Sequence, residues 1–222
     1  MATLNDLTAA IEVLLNHPMG INQYQLANQV APKAYEAYIF GLCLRAVREL
    51  NVTPVLRGIQ GRPAPFVFRG SPGKIHTMTK NYGYAEFSIN GQDFEVHAGV
   101  EFKGTSGITH ELDVCIMRAD GANKCRNPTT RGDPTAASLI GGWECKFYDK
   151  RLQKVLGRAF VGLIDDLGTN IRLAGLCSDK TYGPLRDFFR PQRRPYADFE
   201  LTPLCPKNED FFVKRIADTL KK

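Results

Sequence analysis

Leu4, Leu7, Ile11, Leu14 and Leu15 recur every three or four residues, which predicts an amphipathic helix over residues 3–16. The stretch HPMGINQYQLANQVAP interrupts that rhythm and resumes it as a short helix, so a helix-turn-helix is one reading of the first fifty residues. Pro32 opens a second long helix over 33–50, where proline at the start costs no intrahelical bond. Its apolar stripe is Ile39, Phe40, Cys43, Leu44, Val47 and Leu50, with Glu36 one turn upstream on the same face. The period then changes to two. TPVLRGI and PFVFRG read as short strands around a Gly/Pro-rich turn, and residues 84–89 and 93–103 as a hairpin around Asn90-Gly91-Gln92. In its second arm Phe94, Val96, Ala98, Val100 and Phe102 alternate with Glu95, His97, Gly99, Glu101 and Lys103. That predicts a half-buried strand with Glu95, His97 and Glu101 on its solvent face.

ITHELDVCIM is a further strand, with Glu111, Asp113, Cys115 and Met117 on one face and His110, Leu112, Val114 and Ile116 on the other. Residues 118–138 read as a polar loop, and 139–148 as another strand. Alternation there turns Trp143, Cys145 and Phe147 one way and Glu144 and Lys146 the other. A helix over 149–168 follows, with Asp149 and Lys150 as its N-cap and first turn. IRLAGLCSD is a buried strand, RDFFRPQRRPYADF a basic Pro-rich segment, and 208–221 a closing helix. Helix, antiparallel strands, helix, strand is the order of an α/β protein with a mixed β-sheet flanked by helices. The expected division is an N-terminal helical segment, 1–32, and one domain over 33–222.

Composition narrows the picture. With 43% hydrophobic residues in 222, the chain can bury a sizeable core. No run approaches eighteen apolar residues and no signal peptide is recognisable, so a cytoplasmic protein with no membrane partner is expected. Six cysteines, none in a CxxC pair, read as free buried thiols of a reducing compartment. Lys and Arg total 29 against 23 Asp and Glu, a net +6 that favours an anionic partner, nucleic acid first.

A glutamate and a lysine sharing the inner face of a central strand are costly to desolvate unless paired. They can pair with each other, or with a metal ion and a substrate. Asp113 in ELDV, then Glu144 and Lys146 in ECK, reproduce an aspartate, a long gap and Glu-x-Lys. In this the chain resembles the PD-(D/E)XK nuclease superfamily over about residues 33–178. The resemblance implies a restriction-endonuclease-like core in which Asp113 and Glu144 bind Mg2+, with Mn2+ as a substitute. It makes the Cys145 backbone carbonyl a further ligand, Lys146 the catalytic lysine and Glu36 the helix carboxylate that joins them. Two departures stand: Leu112 precedes Asp113 in place of proline, and the gap, 114–143, requires residues 119–138 to be an insertion.

The function so implied is a Mg2+-dependent endonuclease hydrolysing DNA phosphodiester bonds in restriction, defence or repair, as a homodimer or a subunit of a larger complex. Arg186, Arg190, Arg193 and Arg194, interleaved with Phe188 and Phe189, are candidate phosphate contacts, as are Lys124, Arg126 and Arg131. Two readings compete with the enzyme. One is a nucleic-acid-binding module that keeps the fold and cuts nothing. The other is an interaction protein whose Glu144–Lys146 pair is structural. His110 reads as a structural strand residue.

Overall fold

Thr3 begins the first helix, α1 (Leu4–Leu15), with a capping box: its hydroxyl accepts the Asp6 N–H at 3.2 Å and the Asp6 carboxylate accepts the Thr3 N–H at 2.7 Å. In this computed structural model the described residues are 2–16, 30–58, 66–77, 82–147, 153–168, 171–190 and 195–222. Leu7, Ile11 and Leu15 of α1 are buried in the same core as α2 (Val30–Arg48). Every residue of α2 from Ala34 to Leu44 is buried, the mark of a helix enclosed on all sides. The helix-turn-helix reading falls partly on residues 17–29, outside the described residues.

The sheet has seven strands in chain order: β1 (Val55–Arg57), β2 (Tyr84–Ile89), β3 (Gln92–Lys103), β4 (Thr109–Arg118), β5 (Leu139–Lys146), β6 (Leu173–Ser178) and β7 (Tyr196–Asp198). Neighbours from β1 to β5 are antiparallel, and β5, β6 and β7 run parallel. Parallel pairs need crossovers; α4 (Lys154–Leu167) supplies one between β5 and β6, and α5 (Gly183–Phe189) lies between β6 and β7. Two more helices among the described residues are α3 (Ala119–Arg126) and α6 (Pro206–Leu220). The largest core joins α1, α2 and α6 to the sheet; a second gathers Ala122 of α3 and Leu167 of α4 against it. The expected mixed sheet flanked by helices is therefore present.

Several expectations need correction. Of PFVFRG, the described residues 66–70 form no strand: Phe66 and Phe68 instead stack edge-on, 4.9 Å apart, and reach Phe40 of α2. Residues 119–138 are not a plain loop, because Ala119–Arg126 is helical and Ala136–Ser138 forms a 3-10 turn. Gln153 is the N-cap of α4, and Asp149 and Lys150 lie outside the described residues.

The strict alternation of β3 also fails, and the failure shapes the site. Val96 and Ala98 face the core under α2, whereas Val100 and Phe102 belong to the second core. On β4, Val114 and Ile116 face the first core and Leu112 the second. Residues two apart share a face in a regular strand, so both strands invert there. The ladder skips the Gly99–Asp113 pair, and Gly99 has φ +62°, a left-handed conformation that glycine adopts without strain. Asp113 is the residue at the inversion on β4.

Candidate active site

β4 and β5 stay paired as far as Val114 and Trp143. Beyond that point the Asp113 carboxylate takes the place of the ladder: its Oδ2 accepts the Cys145 N–H at 2.7 Å. β5 remains in register with β6 through Lys146, so Glu144 and Lys146 are carried on a paired strand beside Asp113. Lys146 Nζ contacts Glu144 Oε1 and stands 3.8 Å from Asp113 Oδ2. Glu36 enters from α2, only 8% exposed, and both its oxygens accept from Lys33 Nζ, at 2.9 and 2.7 Å. Glu111, two residues before Asp113, interacts electrostatically with Asp113, Lys33, Glu144 and Lys146. Its Oε1 is buried without a hydrogen-bond partner. The four expected residues Glu36, Asp113, Glu144 and Lys146 thus converge, and Lys33 and Glu111 join them. Cys145 offers the cluster its N–H, while its thiol is buried in the main core.

Four carboxyls against two ammonium groups leave more acidic groups than counter-charges in a poorly hydrated place. Burial, with Asp113 adding to it, pushes the Glu36 carboxyl up to about 8 against the pull of Lys33. Burial and then Asp113 push Glu111 up to about 7. The same two causes raise Glu144, opposed by Lys146. These are the conditions under which a hard cation is welcome: every donor is an oxygen, one of them has no partner, and the carboxyls are held protonated for want of positive charge. Among the described residues, no three His, Cys, Asp or Glu side chains are gathered so as to hold a metal ion by themselves. A divalent ion at this place would rest on one or two carboxylates, with water and substrate oxygens completing its shell, as Mg2+ prefers.

The raised carboxyls set a pH dependence. Above about 4.5 the unfolded chain releases the Glu36 proton, whereas the folded protein keeps it until about 8. The folded state then binds more protons, and stability falls as pH rises through that window. Glu36→Gln is expected to remove part of this slope. The variant should match the wild type near pH 4.5 and exceed it near pH 8, as urea midpoints at both pH values will show. An unchanged slope would mean that Glu36 ionises freely.

The remaining candidates lie elsewhere. Arg126 is not a free phosphate contact: its guanidinium donates to both oxygens of Glu95 at 2.8 and 2.6 Å and covers the Tyr84 ring. That also overturns the solvent-face reading of β3, since Glu95 is 3% and His97 1% exposed. Helix α3, formed where a loop was expected, carries Arg126 onto that face and buries it. Glu95 Oε2 and His97 Nε2 are 2.7 Å apart, and Glu101 is half-buried 3.7 Å from Lys74. Lys124 and Arg131 are exposed. Arg186 on α5 and Arg190 at its C-cap are exposed, Arg190 beside Asp187 at 3.2 Å, but Phe189 between them is buried against Phe160. Arg193 and Arg194 lie outside the described residues. His110 is structural, bound to Asp166, whose carboxylate also accepts the Ser106 N–H at 2.8 Å. Lys33 and Glu111 were each signalled by spacing, three residues before Glu36 on a helix and two before Asp113 on a strand.

No protein-family model, no curated protein and no solved structure matches the chain.

Proposed function

We propose that the chain is a Mg2+-dependent nuclease that hydrolyses DNA phosphodiester bonds, with a restriction-endonuclease-like core. The observation that carries the reading is the meeting of Asp113, Glu144 and Lys146 where β4 and β5 part, with Glu36 of α2 beside them. Mg2+ bound there would neutralise charge growing on the phosphate and lower the pKa of attacking water. Asp113 is fixed for this role by the Cys145 N–H, and Glu144 by its place on a paired strand. Lys146, between the two carboxylates, is placed to donate to a phosphate oxygen and to orient the water. As the water oxygen bonds to phosphorus, the bond to the leaving sugar oxygen breaks; the water gives up a proton to solvent, and the leaving oxygen takes one back from solvent. The charge of +6 supports an anionic substrate.

Asp113→Asn tests the reading. The amide oxygen still accepts the Cys145 N–H, yet the negative charge that raises Glu36, Glu111 and Glu144 is gone. The variant should therefore melt higher than the wild type in EDTA. The wild type should gain roughly 5–10 °C in a hundredfold excess of Mg2+ or Mn2+ over Kd. Asp113→Asn should lose that gain together with cleavage of labelled DNA. Cleavage at the wild-type rate would remove Asp113 from the site.

A further inference from the structure

Phe211 of α6 and Tyr196 of β7 are 64% and 50% exposed, and one guanidinium lies against both. Arg215 Cζ stands 4.2 Å from the Tyr196 ring centre and 5.4 Å from that of Phe211. Arg215 is clamped in turn: its Nη2 donates to both oxygens of Asp198 at 2.6 Å, and the Asp198 side chain is 8% exposed. Single exposed apolar residues are ordinary on a protein surface. Two exposed rings on one immobilised cation are a built surface. Lys207 and Lys214, one turn to either side of Phe211, are exposed too. The neighbouring acids are answered by other cations, Asp210 by Arg45 and Asp218 by Lys221.

We propose that Tyr196, Arg215 and Phe211 form a stacking platform for the bases of single-stranded nucleic acid. Open π faces backed by a guanidinium and flanked by lysines bind stacked bases of any sequence, while the lysines hold the phosphates. A duplex keeps its base faces covered and gains only the phosphate contacts. The platform lies on the sheet face that Cys145 turns to the main core. Asp198 is in register with Cys177, and Cys177 with Cys145, so the anchor of Arg215 shares a sheet row with the residue between Glu144 and Lys146. Two strand spacings, roughly 10 Å, separate them. As a statement about substrate the inference rests on the nuclease reading, whereas the binding itself does not.

The test is a titration of a fluorescein-labelled oligo(dT) and of a duplex of equal length, read by anisotropy in EDTA. The wild type should bind the single strand more tightly. Tyr196→Ser with Phe211→Ser should weaken that binding by roughly tenfold or more per ring. Tyr196→Phe with Phe211→Tyr keeps both rings and should bind as the wild type does. Phe211→Ser alone, on the exposed face of α6, carries the test if the double variant does not fold. Unchanged single-strand binding in the serine variants overturns the platform. So does a wild-type dimer in sedimentation that the serine variant dissolves without losing DNA, since a second copy would then cover the rings. Loss of the platform with Mg2+-dependent cleavage intact leaves the nuclease reading standing, and single-strand binding without any cleavage removes that reading alone.

Discussion

Lys146→Ala is expected to lower the rate of DNA cleavage roughly 10²- to 10³-fold while divalent-ion binding persists. Asp113 and Glu144 remain, so the proposed ligands are kept and the cation proposed to face the phosphate is lost. The contacts of Lys146 with both carboxylates add a second expectation. In EDTA the variant should melt below the wild type, because Glu144 and Asp113 lose a counter-charge. Mg2+ should restore it, because a divalent ion supplies more charge than the ammonium did. Lys146→Arg should not recover activity, since a guanidinium is bulkier and keeps its proton near neutral pH. If the pair is only structural, the melting point will fall in the same way and Mg2+ will leave it there. Cleavage at the wild-type rate by a folded Lys146→Ala would end the mechanism.

Arg126→Ala carries the largest expected effect on stability. Burial alone would raise the Glu95 carboxyl, but its hydrogen bonds with His97 and Arg126 outweigh burial and hold it down at about 2. His97 is itself kept from protonating, by burial above all. Without Arg126 a carboxylate 3% exposed keeps only a neutral imidazole as partner. Breaking a buried pair from one side costs about 3–5 kcal/mol, or roughly 6–20 °C in melting temperature for a domain of this size. Urea denaturation at neutral pH measures it directly. A loss below 1 kcal/mol would show that water reaches Glu95 once the arginine is gone. Lys124→Ala and Arg131→Ala, both exposed, should leave stability unchanged, so any effect they have on DNA binding is a phosphate contact.

Periodicity made most of the framework legible. Helical spacing placed α1, α2 and α4, and alternation placed β2 to β5, because each keeps its apolar period in the sequence. The residues of the site were legible for the same reason: two carboxylates and a lysine at inner positions of strands are too costly to leave unexplained. Long-range geometry was not legible. Nothing local marks Gly99 as the point where β3 turns its other face, since glycine in an alternating run also fits a regular strand. Helix α3 was hidden because Ala119–Arg126 has too few apolar residues to show a stripe, with Ala122 its one buried residue. Missing that helix made Glu95 and His97 look solvated, for a strand's polar face reads the same whether water or a distant arginine covers it. Glu111 was placed on the correct face but not in the site, because a second glutamate two residues from Asp113 satisfies no motif. Its spacing put it beside Asp113, and the partnerless Oε1 with the crowd of charge around it shows that it belongs to the cluster.

As proposed, the carboxylate cluster between β4 and β5 is a metal-dependent hydrolytic centre. Supercoiled plasmid incubated with the purified protein in Mg2+, Mn2+ or EDTA, and resolved on a gel, tests it most directly. Nicked, linear or degraded DNA is expected with either ion, none in EDTA, and none from Glu144→Gln under any condition. Intact plasmid with both ions, or cutting that survives in EDTA or in Glu144→Gln, would contradict it.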